Sequence, residues 1–257
     1  MIHPSAIIDP TARLAEDVSV GPWTLIGADV EIGPGCRIDT HVVIKGPTRI
    51  GSNNHIYSFA SIGDDPQDKK YDQDVDSVLE IGDDNTIREY CTINRGTALG
   101  GGITRVGSHN WIMAYAHIAH DCQVGDHTIF ANNASLAGHA VIEDHVILGG
   151  FTGVHQFCRL GAHSFTAAST LVLKDVPPFV MVSGNPAKAH GLNREGLKRR
   201  GFSREELNAL RQAYRIIYRQ GLTLEQATEE LLAQAGDCAP FARMAAFLAQ
   251  PGRGIVR

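Results

Sequence analysis

The stretch Val18-Ser19-Val20-Gly21-Pro22-Trp23-Thr24-Leu25-Ile26-Gly27-Ala28-Asp29-Val30-Glu31-Ile32-Gly33-Pro34-Gly35-Cys36-Arg37-Ile38 repeats one pattern every six residues. Val20, Ile26, Ile32 and Ile38 hold its large aliphatic position, and Val18, Thr24, Val30 and Cys36 a smaller one two residues earlier. Outward from this stretch the aliphatic series begins at Ile8 and Leu14 and continues through Ile44, Ile50 and Ile56 to Ile62. It resumes at Ile81, Ile87 and Ile93, and again from Val106 through Ile118 and Leu136 to Leu160. A period of six fits neither the 3.6 of a helix nor the 2 of a half-buried strand. It fits a chain that turns a corner every six residues and points one aliphatic side chain inward on each side. Three hexapeptides then make one triangular coil, and successive coils stack at a strand spacing of about 4.8 Å. Gly follows the aliphatic residue at Gly21, Gly27, Gly33, Gly51, Gly82, Gly107 and Gly125, as expected of corners needing positive φ or close approach.

The expected architecture is therefore mainly β: a parallel β-helix over 1–186 and a small α-helical domain over 187–257. The phase breaks between Ile62 and Ile81 and between Ile93 and Val106, which predicts loop insertions near 64–79 and 94–105. Loops on a rigid scaffold often carry function. Pro177-Pro178 is read as the end of the repeat. From about Ala187 the pattern becomes helical, with Ser203 and Glu206 spaced as a capping box and Thr223 with Gln226 opening another helix.

Composition narrows the function. A net charge of −5 argues against a nucleic-acid binder. Yet the segment from Lys188 to Arg219 carries nine Lys and Arg against three Glu, a basic face suited to an anionic partner or phosphates. Cys36, Cys91, Cys122 and Cys158 occupy the small inward position and are expected to be packed thiols. No basic, apolar leader and no membrane-length apolar run is present, which predicts a cytoplasmic chain without a membrane span.

The coil length serves as a ruler, because residues 18 apart sit above one another. His120 falls under Gly138 and Asp121 under His139, so these four form one patch. A His beside a carboxylate is a ready general base, and a Gly at close range can offer an oxyanion donor. His117 and His155 fall on the rim of the same cleft. The spacing of His117 and His120 also suggests a metal, but the two occupy different offsets in the repeat, so none is expected. His109, His127, His145 and His163 recur every 18 residues and read as a ladder of solvated corner residues.

Four motifs then resemble the acyl-carrier-protein–UDP-N-acetylglucosamine O-acyltransferase family. They are Met113-Ala114-Tyr115-Ala116-His117-Ile118-Ala119-His120-Asp121-Cys122, Asn132-Asn133-Ala134-Ser135-Leu136-Ala137-Gly138-His139, Val154-His155-Gln156-Phe157, and Asn193-Arg194-Glu195-Gly196-Leu197-Lys198-Arg199-Arg200-Gly201-Phe202. The resemblance spans essentially the whole chain. It implies a left-handed coil, a homotrimer with sites between subunits, and transfer of a 3-hydroxyacyl group from acyl carrier protein to the 3-hydroxyl of UDP-N-acetylglucosamine, the first step of lipid A synthesis. It casts His120 as the base, Asp121 as its orienting acid, Gly138 as the oxyanion donor and His139 as a residue near the substrate. Gln67, Asp68 and Lys70 match substrate contacts, as do His155 and Gln156, while Asn193, Glu195, Arg199 and Arg200 match nucleotide-diphosphate contacts. No cofactor is implied, since the acyl group arrives on the phosphopantetheine of the carrier protein.

Two departures from the family pattern stand out. Asn94 replaces a His in the motif Ile93-Asn94-Arg95-Gly96-Thr97, which raises an acceptor bearing a 3-amino group as an alternative. Ala168 matches the floor of the acyl groove, where its size suggests a chain of about 10 to 14 carbons. Other readings are an N-acyltransferase of the same pathway, a coenzyme A-dependent hexapeptide acyltransferase and a non-catalytic scaffold. The first usually carries an extra N-terminal domain, the second needs no carrier-sized basic tail, and the third needs no His120–Asp121–Gly138 patch.

Overall fold

The computed structural model describes residues 1–71, 77–235 and 238–257. Its body is a left-handed β-helix with three flat faces. Among the described residues the first face stacks nine strands from Ile7–Ile8 to Leu171–Val172, all parallel. The second stacks eight, from Arg13–Leu14 to Arg159–Leu160. The third begins at Ser19–Val20 and ends on Val180–Ser183 and Lys188–Leu192. Register follows the 18-residue ruler, with His117 beside Ser135 and Ile118 beside Leu136.

The aliphatic series is the core. Ile26, Ile44, Ile62, Ile93, Ile118 and Leu136 are fully buried, and the smaller positions before them are buried too. Cys36, Cys91, Cys122 and Cys158 are free and buried, and burial pushes the Cys122 thiol up to about 12.

The corners differ from expectation in one respect. Left-handed backbone falls on the third residue after most of the aliphatics, as at Trp23, Asp29, Tyr115, Asp121 and His139, with φ between 54° and 64° for these five. Asn, Asp and His tolerate this region best among residues with a Cβ. The glycines mostly serve close approach: a Cβ on Gly33 would lie 2.8 Å from the backbone of Gly51 in the next coil.

Both predicted insertions leave from the corner between the first and second faces. The first follows strand Ser61–Asp64 and returns at Val78–Ile81; its residues 72–76 lie outside the described residues. The second follows Thr92–Asn94, makes a 3-10 turn at Ala98–Gly100 and returns at Ile103–Val106.

Pro177-Pro178 does not end the sheet. Val180–Ser183 still pairs in parallel with Phe165–Thr166, and Lys188–Leu192 then folds back antiparallel where helix was expected. Helices follow at α1 (Arg194–Arg199), α2 (Arg204–Arg219), α3 (Leu224–Ala235) and α4 (Ala239–Ala249). Ser203 and Glu206 form the predicted capping box, and Thr223 and Gln226 exchange the same pair of bonds. The helical unit is pinned to the coil by Arg159, which pairs with buried Asp175 at 2.8 Å and reaches Gln250 at 2.6 Å.

The His ladder is stacked as the ruler requires, with ring centroids 4.7 to 4.8 Å apart. Its top rung is not solvated. His163 is buried under Phe179 and Phe202, and that burial, with neighbouring His145 and Arg200, lowers its pKa to about 3.

Candidate active site

The strand His117–Ile118 ends at the corner from which both loops spring two coils and one coil earlier. Asp121 takes the left-handed corner conformation there, and its own N–H donates to Thr104 Oγ1 at 2.8 Å. The side chain thereby turns back along the corner onto the imidazole beside it. His120 Nδ1 lies 2.8 Å from Asp121 Oδ2. The carboxylate also accepts from Thr97 N at Oδ1 (2.9 Å) and from Thr97 Oγ1 at Oδ2 (2.6 Å). Burial alone would raise the Asp121 pKa; the bonds from His120 and Thr97 outweigh it and hold the carboxyl below its ordinary range. An ionised Asp121 keeps the shared proton on Nδ1 and leaves His120 Nε2 as an open base.

Above this pair the next coil supplies Gly138. A Cβ there would lie 2.5 Å from His120 Cε1 and 2.7 Å from Nε2, so only Gly lets the ring stand against the backbone. Among the described residues nothing accepts from the Gly138 N–H, which leaves a donor beside the base. His139 sits above Asp121, with Nε2 3.7 Å from Oδ2, and stacks on Phe157 at 4.4 Å. Burial lowers the His139 pKa, against the opposing pull of Asp121. His117 faces outward on the first face, its Nδ1 2.7 Å from Thr92 Oγ1, and burial lowers its pKa as well. His155 and Gln156 occupy the coil above Gly138, with His155 Nδ1 3.2 Å from Gln156 O.

His120, Asp121 and His139 offer three donor atoms within 4.8 Å of one another, a set that a metal could use. The carboxylate oxygens, however, already receive three hydrogen bonds, and a metal would have to displace them. The arrangement reads instead as a base, its orienting acid and an adjacent N–H donor, the equipment of acyl transfer.

Comparisons with known proteins agree. Residues 29–64 and 103–138 match the bacterial transferase hexapeptide repeat, and 175–256 match domain 2 of UDP N-acetylglucosamine O-acyltransferase. An acyl-carrier-protein–UDP-N-acetylglucosamine O-acyltransferase from Thiobacillus denitrificans is 59% identical over 100% of this chain and 99% of its own. The chain belongs to this acyltransferase family. A relative of the same description from Herminiimonas arsenicoxydans is 54% identical over 100% and 99% of the two chains. Among solved structures, LpxA from Acinetobacter baumannii superposes with a TM-score of 0.97 at 49% identity, covering 100% of this chain and 99% of its own. UDP-N-acetylglucosamine acyltransferase from Francisella novicida gives 0.98 at 43%, covering 100% and 94%.

One chain of this acyltransferase does not bring every expected residue together. Gln67, Asp68 and Lys70 are exposed on the first loop, at the His120 corner, and the Asp68 charge is felt at His139. Ala168 is exposed at a different corner, between the third and first faces. The tail residues lie at the remaining corner: Asn193 caps α1, and its Nδ2 donates to His163 O at 3.0 Å. There Glu195 and Arg199 are exposed, while Arg200 is half-buried, its Nη1 without a hydrogen-bond partner among the described residues.

Sequence reasoning missed Thr97 and Thr104, the two residues that fix Asp121. It also gave no sign of the bonds made by Asn94, which is 3% exposed and turns Nδ2 to the backbone oxygens of Asp64 and Asp65, holding the first loop.

Proposed function

We propose that this acyltransferase moves a 3-hydroxyacyl group from acyl carrier protein to the 3-hydroxyl of UDP-N-acetylglucosamine, opening lipid A synthesis. The observation that carries the reading is the His120–Asp121 pair standing against Gly138. In this reading His120 Nε2 takes the proton of the sugar hydroxyl as the oxygen attacks the thioester carbonyl. Asp121 stabilises the imidazolium that forms. The Gly138 N–H donates to the carbonyl oxygen as it becomes an oxyanion. Collapse expels the phosphopantetheine thiolate, which recovers the proton from His120, leaving an ester and the free carrier thiol. The described side chains carry the proton through this sequence, and the reading calls on no further cofactor.

Three observations favour a homotrimer as the working unit. Nucleotide, acyl and base residues lie on three different corners of one prism, so side-by-side copies are needed to join them. The outward row of the first face, Ile7, Leu25, Val43, Ser61, Thr92, His117, Ser135, Gly153 and Leu171, holds no Asp, Glu, Lys or Arg. Trp23, Phe59, Tyr90 and Tyr115 add exposed rings along its edge, an apolar stripe suited to a second copy. Arg199 and Arg200 would hold the pyrophosphate of the acceptor, and the basic face of α2 would meet the acidic carrier protein. Both substrates place the reaction in the cytoplasm, and no described helix is long and apolar enough to cross a membrane.

The test is a mass-spectrometric transfer assay. It offers 3-hydroxyacyl carrier proteins of several lengths, and in parallel the matching coenzyme A thioesters, to UDP-N-acetylglucosamine and to its 3-amino analogue. Transfer to the hydroxyl supports the reading, and the preferred length reports what Ala168 permits. Transfer to the amine alone, or from coenzyme A alone, overturns it.

A further inference from the structure

Asn94-Arg95-Gly96-Thr97 touches two things at once. At one end it grips the first loop. Asn94 Nδ2 donates to Asp65 O (2.9 Å) and Asp64 O (3.4 Å), and Arg95 N donates to Asp64 O at 3.2 Å. The Arg95 side chain is 13% exposed. It donates to Gly63 O (2.9 Å), Gly46 O (3.2 Å) and Tyr71 Oη (3.3 Å), and it pairs with the Asp65 carboxylate. Gly96 N donates to Val78 O at 3.3 Å, where the loop returns. Both roots of the loop that carries Gln67, Asp68 and Lys70 are therefore bonded to one short segment.

At the other end Thr97 donates from both its N–H and its hydroxyl to the Asp121 carboxylate. The same hydroxyl accepts from Gly100 N at 3.1 Å, closing the 3-10 turn. A Cβ on Gly100 would overlap that carboxylate, so the turn is seated directly on it.

We propose that Asn94-Arg95-Gly96-Thr97 is a positioning unit that fixes the substrate-bearing first loop and the His120–Asp121 pair relative to each other. This rests on the acyl-transfer reading and assigns new roles to residues whose hydrogen bonds run to the loop roots and to Asp121. Thr97 sets Asp121, which in turn holds the His120 ring in the orientation and tautomer that transfer needs. Asn94 and Arg95 set the height of the loop, and with it the position of the acceptor sugar. The two ends act on different kinetic quantities. Losing an interaction made only in the transition state lowers kcat, whereas losing a binding contact common to ground and transition states raises KM.

The test measures transfer kinetics of the full-length wild type, Thr97→Val, Thr97→Ser and Asn94→Leu, with thermal unfolding of each as a control on folding. Thr97→Val keeps the branched shape and loses the hydroxyl; kcat is expected to fall roughly 10- to 100-fold with the nucleotide-sugar KM within about threefold. Thr97→Ser restores the hydroxyl, and kcat within about threefold of wild type is expected. Asn94→Leu frees the loop root, and a KM raised about fivefold or more with kcat nearly unchanged is expected. A Thr97→Val kcat within threefold of wild type, or a Thr97→Ser enzyme no better than Thr97→Val, overturns the Asp121 half. A KM raised less than fivefold in Asn94→Leu overturns the loop half. Transfer by wild type with unaltered variants sinks this inference alone; no transfer by any chain sinks the functional reading and this inference with it.

Discussion

Asp121, a corner residue held at φ 59°, receives at Oδ2 both the Nδ1 proton of His120 at 2.8 Å and the hydroxyl of Thr97 at 2.6 Å. The carboxylate is thus fixed by groups on two coils before any substrate arrives, and preorganisation of this kind is where acyl transfer gains most.

Asp121→Asn tests that arrangement with little change of shape. Asn tolerates the left-handed corner, so the backbone should survive. Its amide can offer His120 a donor, which favours the wrong tautomer, and one of the Thr97 bonds loses its acceptor. A fall in kcat of about 10² to 10⁴ is expected, with the melting temperature lowered by only a few degrees for the lost buried bond. Steady-state kinetics beside a thermal melt would check both, and near-normal turnover would remove Asp121 from its role.

Gly138→Ala places a methyl where the His120 ring stands. The ring must move by close to an ångström, and such displacement of a catalytic group costs about 10² in rate. The loss should appear in kcat for every acyl length, since the methyl disturbs the base and not the acyl groove. A change confined to chain-length preference would place Gly138 in the groove instead.

His163 gives a stability prediction. Buried and lowered to about 3 from an ordinary 6.5, it binds its proton more weakly in the folded chain than in the unfolded one. Its contribution is therefore fully present above pH 6.5 and is lost as pH falls toward 3. His163→Phe continues the stack onto Phe179 and removes a buried Nδ1 that has no partner among the described residues. The variant should gain on wild type by on the order of 2 kcal/mol between pH 7 and pH 5 in denaturant titrations. A constant difference across that range would contradict the buried neutral ring.

Sharing of the site between copies can be tested by mixing two defective chains. His120→Ala lacks the base, and an Arg199→Ala, Arg200→Ala double variant lacks the nucleotide grip. Co-expressed in equal amounts as a closed ring, they should recover about a quarter of wild-type turnover, from sites that draw one intact half from each chain. Turnover no greater than that of either variant alone would put each site within one chain.

How far the sequence could be read follows from the ruler. Wherever coils are 18 residues long, vertical neighbours follow by subtraction, and His120 with Gly138 and Asp121 with His139 were found that way. Where loops lengthen the coil, Ile62 pairs with Ile93 and Ile93 with Ile118, and subtraction fails. Thr97 and Asn94 lie in that stretch, so their contacts with Asp121 and Asp65 were hidden. The strand Lys188–Leu192 was missed because an antiparallel return at the end of a solenoid carries no hexapeptide period. His163 looked like its three partners in sequence; Phe179 at the end of the coil and Phe202 of the helical unit, folded over it, make it a core residue.

The central claim is that His120 removes the acceptor proton, and its most direct test is transfer by His120→Ala measured beside wild type. Its side chain is 16% exposed in the cleft and lies outside the buried hydrophobic core, so the variant should fold with little change in melting temperature. Turnover at least about 10² lower, with acceptor still bound, is the expected result. Turnover within tenfold of wild type would contradict the account.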